Sequence, residues 1–362
     1  MRADAARAAR RRGRGAGAAA ADAAAPARRA GRAARALPAR RARQGPRVPD
    51  VRRQVARRHP RVGGRHALLL QRRVRGPLHR RLTPVPVRRS AALHPDPWRD
   101  VDAQPSAAQL AATLEARGRT PTQARLRRRF LRFVPIRRGA RVLEVGCGTG
   151  VVLRDVAALV GRRGAAVGVD PSRVILALAR RLCRPARGAA RISLRAADGA
   201  RLPFAAARFD AALAVTVILH VADPLRVVRE MARVTRPGGR VALQDQDFGV
   251  IAVTHPDRAL TDRIMRGVAA RIYAEPWSGR RLPGLLLDAG LERVRLLTDV
   301  YQDTTLEPFS KSFLERRAAN AVRFGLVDAA AAQRWLDGFT ALVARGRFVL
   351  TMNYYGAVGV RP

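Results

Sequence analysis

The 362-residue chain has almost no lysine, cysteine or aromatic side chains. Lys311 is the only lysine among 71 basic residues, and aromatic residues make up 5% of the chain. Its two cysteines, Cys147 and Cys183, are too few for a disulfide framework and lack metal-ligand spacing, so we expect no metal and a reducing, cytoplasmic setting. No run approaches the ~20 apolar residues of a membrane span. The beginning of the chain also lacks the apolar segment of a secretory signal.

Residues 1–100 combine a strong positive charge with very few large apolar side chains. They hold 28 arginines against five aspartates, contain no Ile, Phe or Tyr, and have Trp98 as their single aromatic residue. Burial of so few large side chains cannot offset the entropy lost when a chain becomes ordered. We therefore interpret residues 1–100 as an Arg/Ala-rich disordered tail and residues 101–362 as the folded domain.

Three interpretations of this tail remain open. It is an inert segment, translated from GC-rich DNA upstream of a true start near Val101, or a basic arm that binds nucleic acid, or an Arg-rich targeting peptide. The first interpretation predicts that removal of residues 1–100 leaves the activity of the domain intact.

The pattern changes after about residue 104, where apolar residues recur first at helical spacing and then in alternating strands and helices. This alternation indicates an α/β fold with a doubly wound parallel sheet. Helical insertions are predicted over 255–273, after strand five, and over 306–345, after strand six. The predicted strands cover residues 141–145, 165–170, 192–195, 209–215, 240–245, 291–300 and 347–359.

A glycine-rich turn follows the first predicted strand. Gly146, Gly148 and Gly150 alternate with other residues, and Glu144 precedes the first glycine by two positions. Glycine lets a backbone turn tightly and approach a ligand, and the helix that follows offers free N–H groups. A dinucleotide site and a merely structural turn are the alternatives at this point.

Acidic residues follow the second and third strands. Asp170 lies twenty residues beyond Gly150, where a carboxylate can accept hydrogen bonds from both ribose hydroxyls. Its alternative role is to cap the helix that Pro171 opens. Asp198, followed by Gly199, can accept a hydrogen bond from an adenine amino group, or can belong to a solvated turn.

Five segments in this order resemble the class I S-adenosylmethionine-dependent methyltransferases that act on small molecules, including the ubiquinone and menaquinone C-methyltransferase group. The resemblance implies a Rossmann-like seven-stranded sheet whose last strand is antiparallel, with helices on both faces. The segments are VLEVGCGTG (142–150), VGVDPS (167–172), ADGARLPF (197–204), FDAALAVTVILHV (209–221) and RPGGRVAL (236–243).

The same resemblance implies that S-adenosylmethionine is the cofactor and that Thr216 lies near the point of methyl transfer. The positions expected to bind the cofactor are Glu144, Gly146, Cys147, Gly148 and Gly150 around the methionine part, Asp170 and Pro171 at the ribose, Asp198 and Gly199 at the adenine, and Thr216.

The acceptor has to be argued from chemistry. His220 after strand four and Asp247 after strand five are the candidate catalytic residues, because both follow strands at the predicted ligand edge. The chain is expected to methylate carbon or oxygen of a small organic molecule. The alternatives are an RNA methyltransferase that uses the basic arm, a non-catalytic cofactor-binding module and a nicotinamide oxidoreductase.

Overall fold

The computed structural model describes residues 96–184 and 186–362. Residue contacts separate the chain into two units, Met1–Pro86 and Val87–Pro362, and all described residues belong to the second. The first 95 positions of the predicted tail lie outside the described residues. Its last five, residues 96–100, form turns in which Asp96 is buried.

Eight strands of the described chain form one sheet. The strands are β1 (Arg141–Val145), β2 (Ala165–Asp170), β3 (Arg191–Ala196), β4 (Phe209–Val215), β5 (Thr235–Gln246), β6 (Ala252–Val253), β7 (Glu292–Asp303) and β8 (Leu350–Val360). The spatial order is β3, β2, β1, β4, β5, β8, with the two-residue β6 beside the start of β8 and β7 paired along β8. The first five strands are parallel, and β8 is antiparallel to both β5 and β7. This confirms the predicted Rossmann-like sheet with its antiparallel last strand, and the short β6 adds an eighth strand to the seven predicted.

Strand β5 begins five residues earlier than predicted. Thr235 pairs with Phe209 and Arg240 pairs with Ala211, so residues 236–239 loop out of the strand. Gly238 adopts a φ of 71° in this loop, a conformation that glycine adopts at little cost. The Pro-Gly-Gly turn therefore forms a bulge inside β5, whereas the sequence pattern placed it before the strand.

The helices cover both faces of the sheet. The helices are α1 (Ala107–Arg119), α2 (Pro121–Phe133), α3 (Val151–Val160), α4 (Arg173–Leu182), α5 (Pro224–Val234), α6 (Arg258–Ile272), α7 (Ser278–Asp288), α8 (Pro308–Arg323) and α9 (Ala329–Ala344). Along β1, Val142 packs with α3 and α4, whereas Leu143 and Val145 pack with α5 and α7, because successive side chains of a strand point to opposite faces.

A further core joins the inserted helices α6, α8 and α9 to the beginning of β8. It is built around Trp335, whose Nε1 donates a hydrogen bond to Thr261 Oγ1 at 3.0 Å, and around Tyr301 and Phe348. These helices follow β5 and β7, which confirms the two predicted insertions. Among the described residues, no helix has both the length and the apolar character needed to cross a bilayer.

Candidate active site

A cavity of about 740 Å³ opens at the carboxyl edge of the parallel strands. This edge is where open α/β sheets bind their ligands. The loops after β1, β2, β3 and β4 form one part of the wall, and α1, the segment 97–101 and α8 form much of the rest. The volume lies in the range typical of small-molecule sites.

The turn after β1 brings the backbone to the cavity. Gly146 and Gly148 have φ values of 67° and 52°, in the left-handed region. A Cβ at Gly146 would also overlap the side chain of Val217. Both the conformation and the close approach therefore require glycine here. Helix α3 begins directly after Gly150 and presents its unpaired N–H groups at this turn.

Asp170 links this turn to the end of β2. Its Oδ2 accepts a hydrogen bond from the Gly148 N–H at 2.9 Å, and its Oδ1 accepts one from the Ser172 N–H at 3.0 Å. Burial raises the pKa of Asp170, and the two N–H donors counteract that rise. The capping role belongs to Ser172, whose Oγ accepts from the Ile175 N–H at 3.0 Å. Asp170 therefore lines the cavity as a buried acceptor and is not the helix cap.

Glu144 contributes a buried carboxyl with one free oxygen. Its side chain is on the cavity wall, and its Oε2 has no hydrogen-bond partner among the described residues. Burial, followed by the negative charge of Asp170, raises the pKa of Glu144 well above its usual value. An acceptor without a partner at this position complements a ligand that carries positive charge.

Thr216 lies directly after β4 with a φ of 57°, an unusual backbone conformation for a β-branched residue. Its N–H donates to the Gln244 carbonyl at 2.7 Å, and its Oγ1 accepts from Arg117 Nη2 at 3.0 Å. This contact brings α1 to the ends of β4 and β5. Arg117 is a cavity residue that no sequence motif identified.

His220 is paired with an acid from the segment predicted to be disordered. Its Nδ1 lies 2.5 Å from Asp96 Oδ2, and the Asp96 side chain is 1% exposed. A carboxylate accepts hydrogen bonds, so in the neutral ring Nδ1 carries the proton and Nε2 has the free lone pair. Nε2 has no hydrogen-bond partner in the described part of the chain. The composition of residues 1–100 predicted disorder and gave no indication that Asp96 would be buried beside His220.

Asp247 does not lie on the cavity wall. Its fully buried carboxylate pairs with Arg280 from α7, and its Oδ1 accepts from the Gly249 N–H at 2.8 Å. Gln244 and Gln246 line the cavity instead, because side chains alternate along β5. The candidate catalytic role of Asp247 therefore has no geometric support.

Tyr354 of β8 joins three elements at the cavity. Gln123 Nε2 of α2 and Gln246 Nε2 of β5 donate to its hydroxyl at 2.9 Å and 2.8 Å. Two donors occupy both lone pairs, which leaves the hydroxyl proton available for another acceptor. No sequence motif indicated this network.

The cavity brings together most of the predicted site. His220 lines it and Asp247 does not, and Gly150 lies just behind its wall. The predicted cofactor positions on the wall are Glu144, Gly146, Cys147, Gly148, Asp170, Pro171, Asp198, Gly199 and Thr216. Asp198 is exposed and its Oδ1 accepts from the Ala200 N–H at 2.9 Å.

The sheet order and the glycine turn define the class I methyltransferase fold. Residues 143–243 match the family model described as a methyltransferase domain. The chain thus carries a methyltransferase domain of the class that uses S-adenosylmethionine as methyl donor.

Curated relatives match a larger part of the chain. A 37.1 kDa protein in transposon Tn4556 of Streptomyces fradiae is 32% identical and covers 61% of this chain and 63% of its own length. Methyltransferase GfsG of Streptomyces halstedii is 37% identical over 46% of this chain and 57% of its own. The 27-O-demethylrifamycin SV methyltransferase of Amycolatopsis mediterranei is 30% identical over 46% and 60%. The chain thus spans about six tenths of the length of these relatives.

Proposed function

We propose that this protein transfers a methyl group from S-adenosylmethionine to a hydroxyl oxygen of a small organic molecule. The observation that carries the choice of oxygen is the Asp96–His220 pair beside the cavity. A hydroxyl must lose its proton as it attacks a methyl group, and a histidine held by a carboxylate is suited to accept that proton.

The residues of the cavity fit the cofactor. The free Oε2 of Glu144 complements the positively charged methionine part of the molecule, and the backbone at Gly146 and Gly148 can approach it closely. We assign Asp170 with Pro171 to the ribose and Asp198 with Gly199 to the adenine. When bound, S-adenosylmethionine supplies a methyl group activated by a sulfonium.

His220 acts on the acceptor in this proposal. Asp96 holds the ring in the tautomer with the proton on Nδ1, so Nε2 accepts the proton of the substrate hydroxyl. The remaining wall orients the acceptor and excludes water, which lowers the barrier by positioning alone. The rifamycin relative is named as a methyltransferase of 27-O-demethylrifamycin SV, which supports an oxygen atom as the acceptor.

The experiment uses the full chain with S-adenosylmethionine labelled in its methyl group and small-molecule extracts separated into fractions. We expect label in a methyl ether, identified by mass spectrometry and NMR. The negative control is the variant Gly146→Val. Its new side chain would overlap Val217 and displace the glycine turn, so this variant should not bind the cofactor. Label on carbon, nitrogen or RNA would contradict the proposal, as would a wild-type chain that fails to bind S-adenosylmethionine.

A further inference from the structure

Arg317 of α8 is a buried cation on the wall of the cavity. Its side chain is 3% exposed, and neither terminal nitrogen, Nη1 or Nη2, has a hydrogen-bond partner among the described residues. An arginine side chain stays charged in proteins, so this charge is removed from water without an acid to balance it.

Aromatic rings surround the guanidinium group but do not satisfy its N–H groups. The carbon at its centre lies 4.8 Å from the ring centroid of Phe248, 4.9 Å from that of Phe313 and 5.4 Å from that of Tyr273. Such contacts attract a cation and hold its plane in place. The terminal N–H groups remain free to donate, and in arginine they form a rigid fork that matches a carboxylate.

More exposed arginines near the same cavity are paired. Arg154 pairs with Glu115 at 3.0 Å, with 30% of its side chain exposed, and Arg127 pairs with Asp155 at 2.6 Å, with 15% exposed. Because these two side chains are partly exposed, water already solvates part of their charge. Arg317 is the least exposed of the three arginines and therefore has the greatest need for a counter-charge. The described residues supply none.

Among the described residues, the groups around Arg317 do not supply a negative charge. Arg316 precedes it on α8 and Arg117 belongs to α1, and both line the same cavity without an ion pair among the described residues. Burial lowers the pKa of Arg317, and in the described part of the chain Tyr273 is the one neighbour that counteracts this effect. Burial also raises the pKa of Tyr273 itself, so its phenol stays neutral at physiological pH.

We propose that Arg317 binds a carboxylate of the methyl acceptor, so the substrate class is a hydroxylated carboxylic acid. This inference rests on the proposed function, because it concerns the acceptor half of the same cavity. The aromatic rings of Phe248 and Phe313 would contact the apolar body of that acid while the guanidinium binds its charged end. A neutral or cationic acceptor would leave the buried charge of Arg317 uncompensated.

The test is a calorimetric titration of the full chain, saturated with S-adenosylhomocysteine, with 1-naphthoate and with the neutral 1-naphthamide. We expect naphthoate to bind the wild-type protein at least about tenfold more tightly than the amide. Arg317→Met should abolish that preference and Arg317→Lys should keep part of it. Arg323→Met, a matched change at an exposed position of the same helix, should leave the preference unchanged.

Three results would overturn the inference: equal affinity of the wild-type protein for acid and amide, a preference that survives in Arg317→Met, or a loss of S-adenosylhomocysteine affinity in Arg317→Met equal to the loss of naphthoate affinity. The third would assign Arg317 to the cofactor. Failure of wild-type protein to bind S-adenosylhomocysteine is a separate result and would count against the proposed function. Arg317→Met should keep its melting temperature, because replacing a buried unpaired charge by an apolar side chain of similar length removes a desolvation cost.

Discussion

His220 owes the orientation of its ring to Asp96, and this single contact determines which nitrogen can act as a base. His220→Gln keeps a polar side chain but removes the lone pair that accepts the proton. We expect kcat for methyl transfer to fall about 100-fold, a typical contribution of general base catalysis, while the dissociation constant of S-adenosylmethionine stays within twofold. Radiolabelled methyl transfer and calorimetry measure the two quantities.

The matched control for this change is His255→Gln. His255 is also partly buried, but its Nε2 lies 3.1 Å from the carbonyl of Trp335 and its ring does not line the cavity. Equal rates for the wild-type protein and His220→Gln would show that positioning alone supports the reaction. An equal loss in both variants would point to a structural effect.

Asp245 is a fully buried carboxyl behind the cavity, and burial raises its pKa to about 8 although the Leu219 N–H donates to its Oδ2 at 2.9 Å. The folded protein therefore holds a proton that the unfolded chain releases at lower pH. This contribution to stability is fully present below the unfolded pKa of 3.8 and is lost as the pH rises towards about 8.

Asp245→Asn should remove this pH dependence, because an amide has the shape of the protonated carboxyl. We expect urea denaturation to show the variant gaining stability over the wild-type protein as the pH rises from 5 to 8, by about 1 kcal/mol or more. Asp247→Asn, two residues away, should instead lose about 2 kcal/mol at all these pH values, since it breaks the contacts with Arg280. A constant difference between Asp245→Asn and wild type across this range would refute the assignment.

Among the elements, those with a regular apolar period could be predicted, and those that depend on distant partners could not. Strands β1, β2 and β4 are short apolar runs with clear boundaries, and their predicted limits agree with the structure. The bulge in β5 escaped prediction because it depends on pairing with Phe209 and Ala211 of β4. The turns at 96–106 could not be predicted because they are stabilised by α4 and His220, which lie far away in sequence.

Asp102 shows how such a segment is attached. Its carboxylate accepts hydrogen bonds at the start of α4 from Ser172 Oγ at 2.5 Å, from the Arg173 N–H at 2.8 Å and from the Val174 N–H at 3.2 Å. Asp102→Ala should therefore lower the free energy of unfolding by about 1 kcal/mol, as loss of a helix cap does. Asp100→Ala is the control, because Asp100 only accepts a local bond from the Ala103 N–H at 3.3 Å and should change stability little. Denaturant titration compares the two, and a similar effect of both would argue against a role for Asp102 at the helix start.

At the level of the whole cavity, the residues proposed to bind the cofactor could be predicted from the sequence, and those proposed to bind the acceptor could not. Glu144, Gly146 and Asp170 lie in short motifs, and the family resemblance of those motifs in their order predicts a nucleoside site. Arg117 and Arg317 come from helices that no motif marks, and their sequence neighbourhoods are as rich in arginine as the rest of the chain. Only the fold shows that one of these many arginines is buried beside aromatic rings.

The contact between Asp96 and His220 changes the expectation for the basic tail. Removal of residues 1–100 was expected to be harmless, but the structure places Asp96 within that segment and against the candidate base. A chain that starts at residue 95 should therefore transfer methyl groups as fast as the full chain. A chain that starts at Val101 should bind S-adenosylmethionine normally yet lose about tenfold or more in kcat.

Asp96→Asn in the full chain is the point variant that separates this contact from other effects of truncation, and it should reproduce the loss seen in the chain that starts at Val101. Full activity of that shorter chain would show that Asp96 is dispensable.

The chain that starts at residue 95 also tests the basic-arm alternative, because it keeps Asp96 and lacks most of the arginines of the tail. If the arm served RNA methylation, this chain would lose a methylation that the full chain performs and that falls with added salt, whereas a small-molecule acceptor requires no such loss.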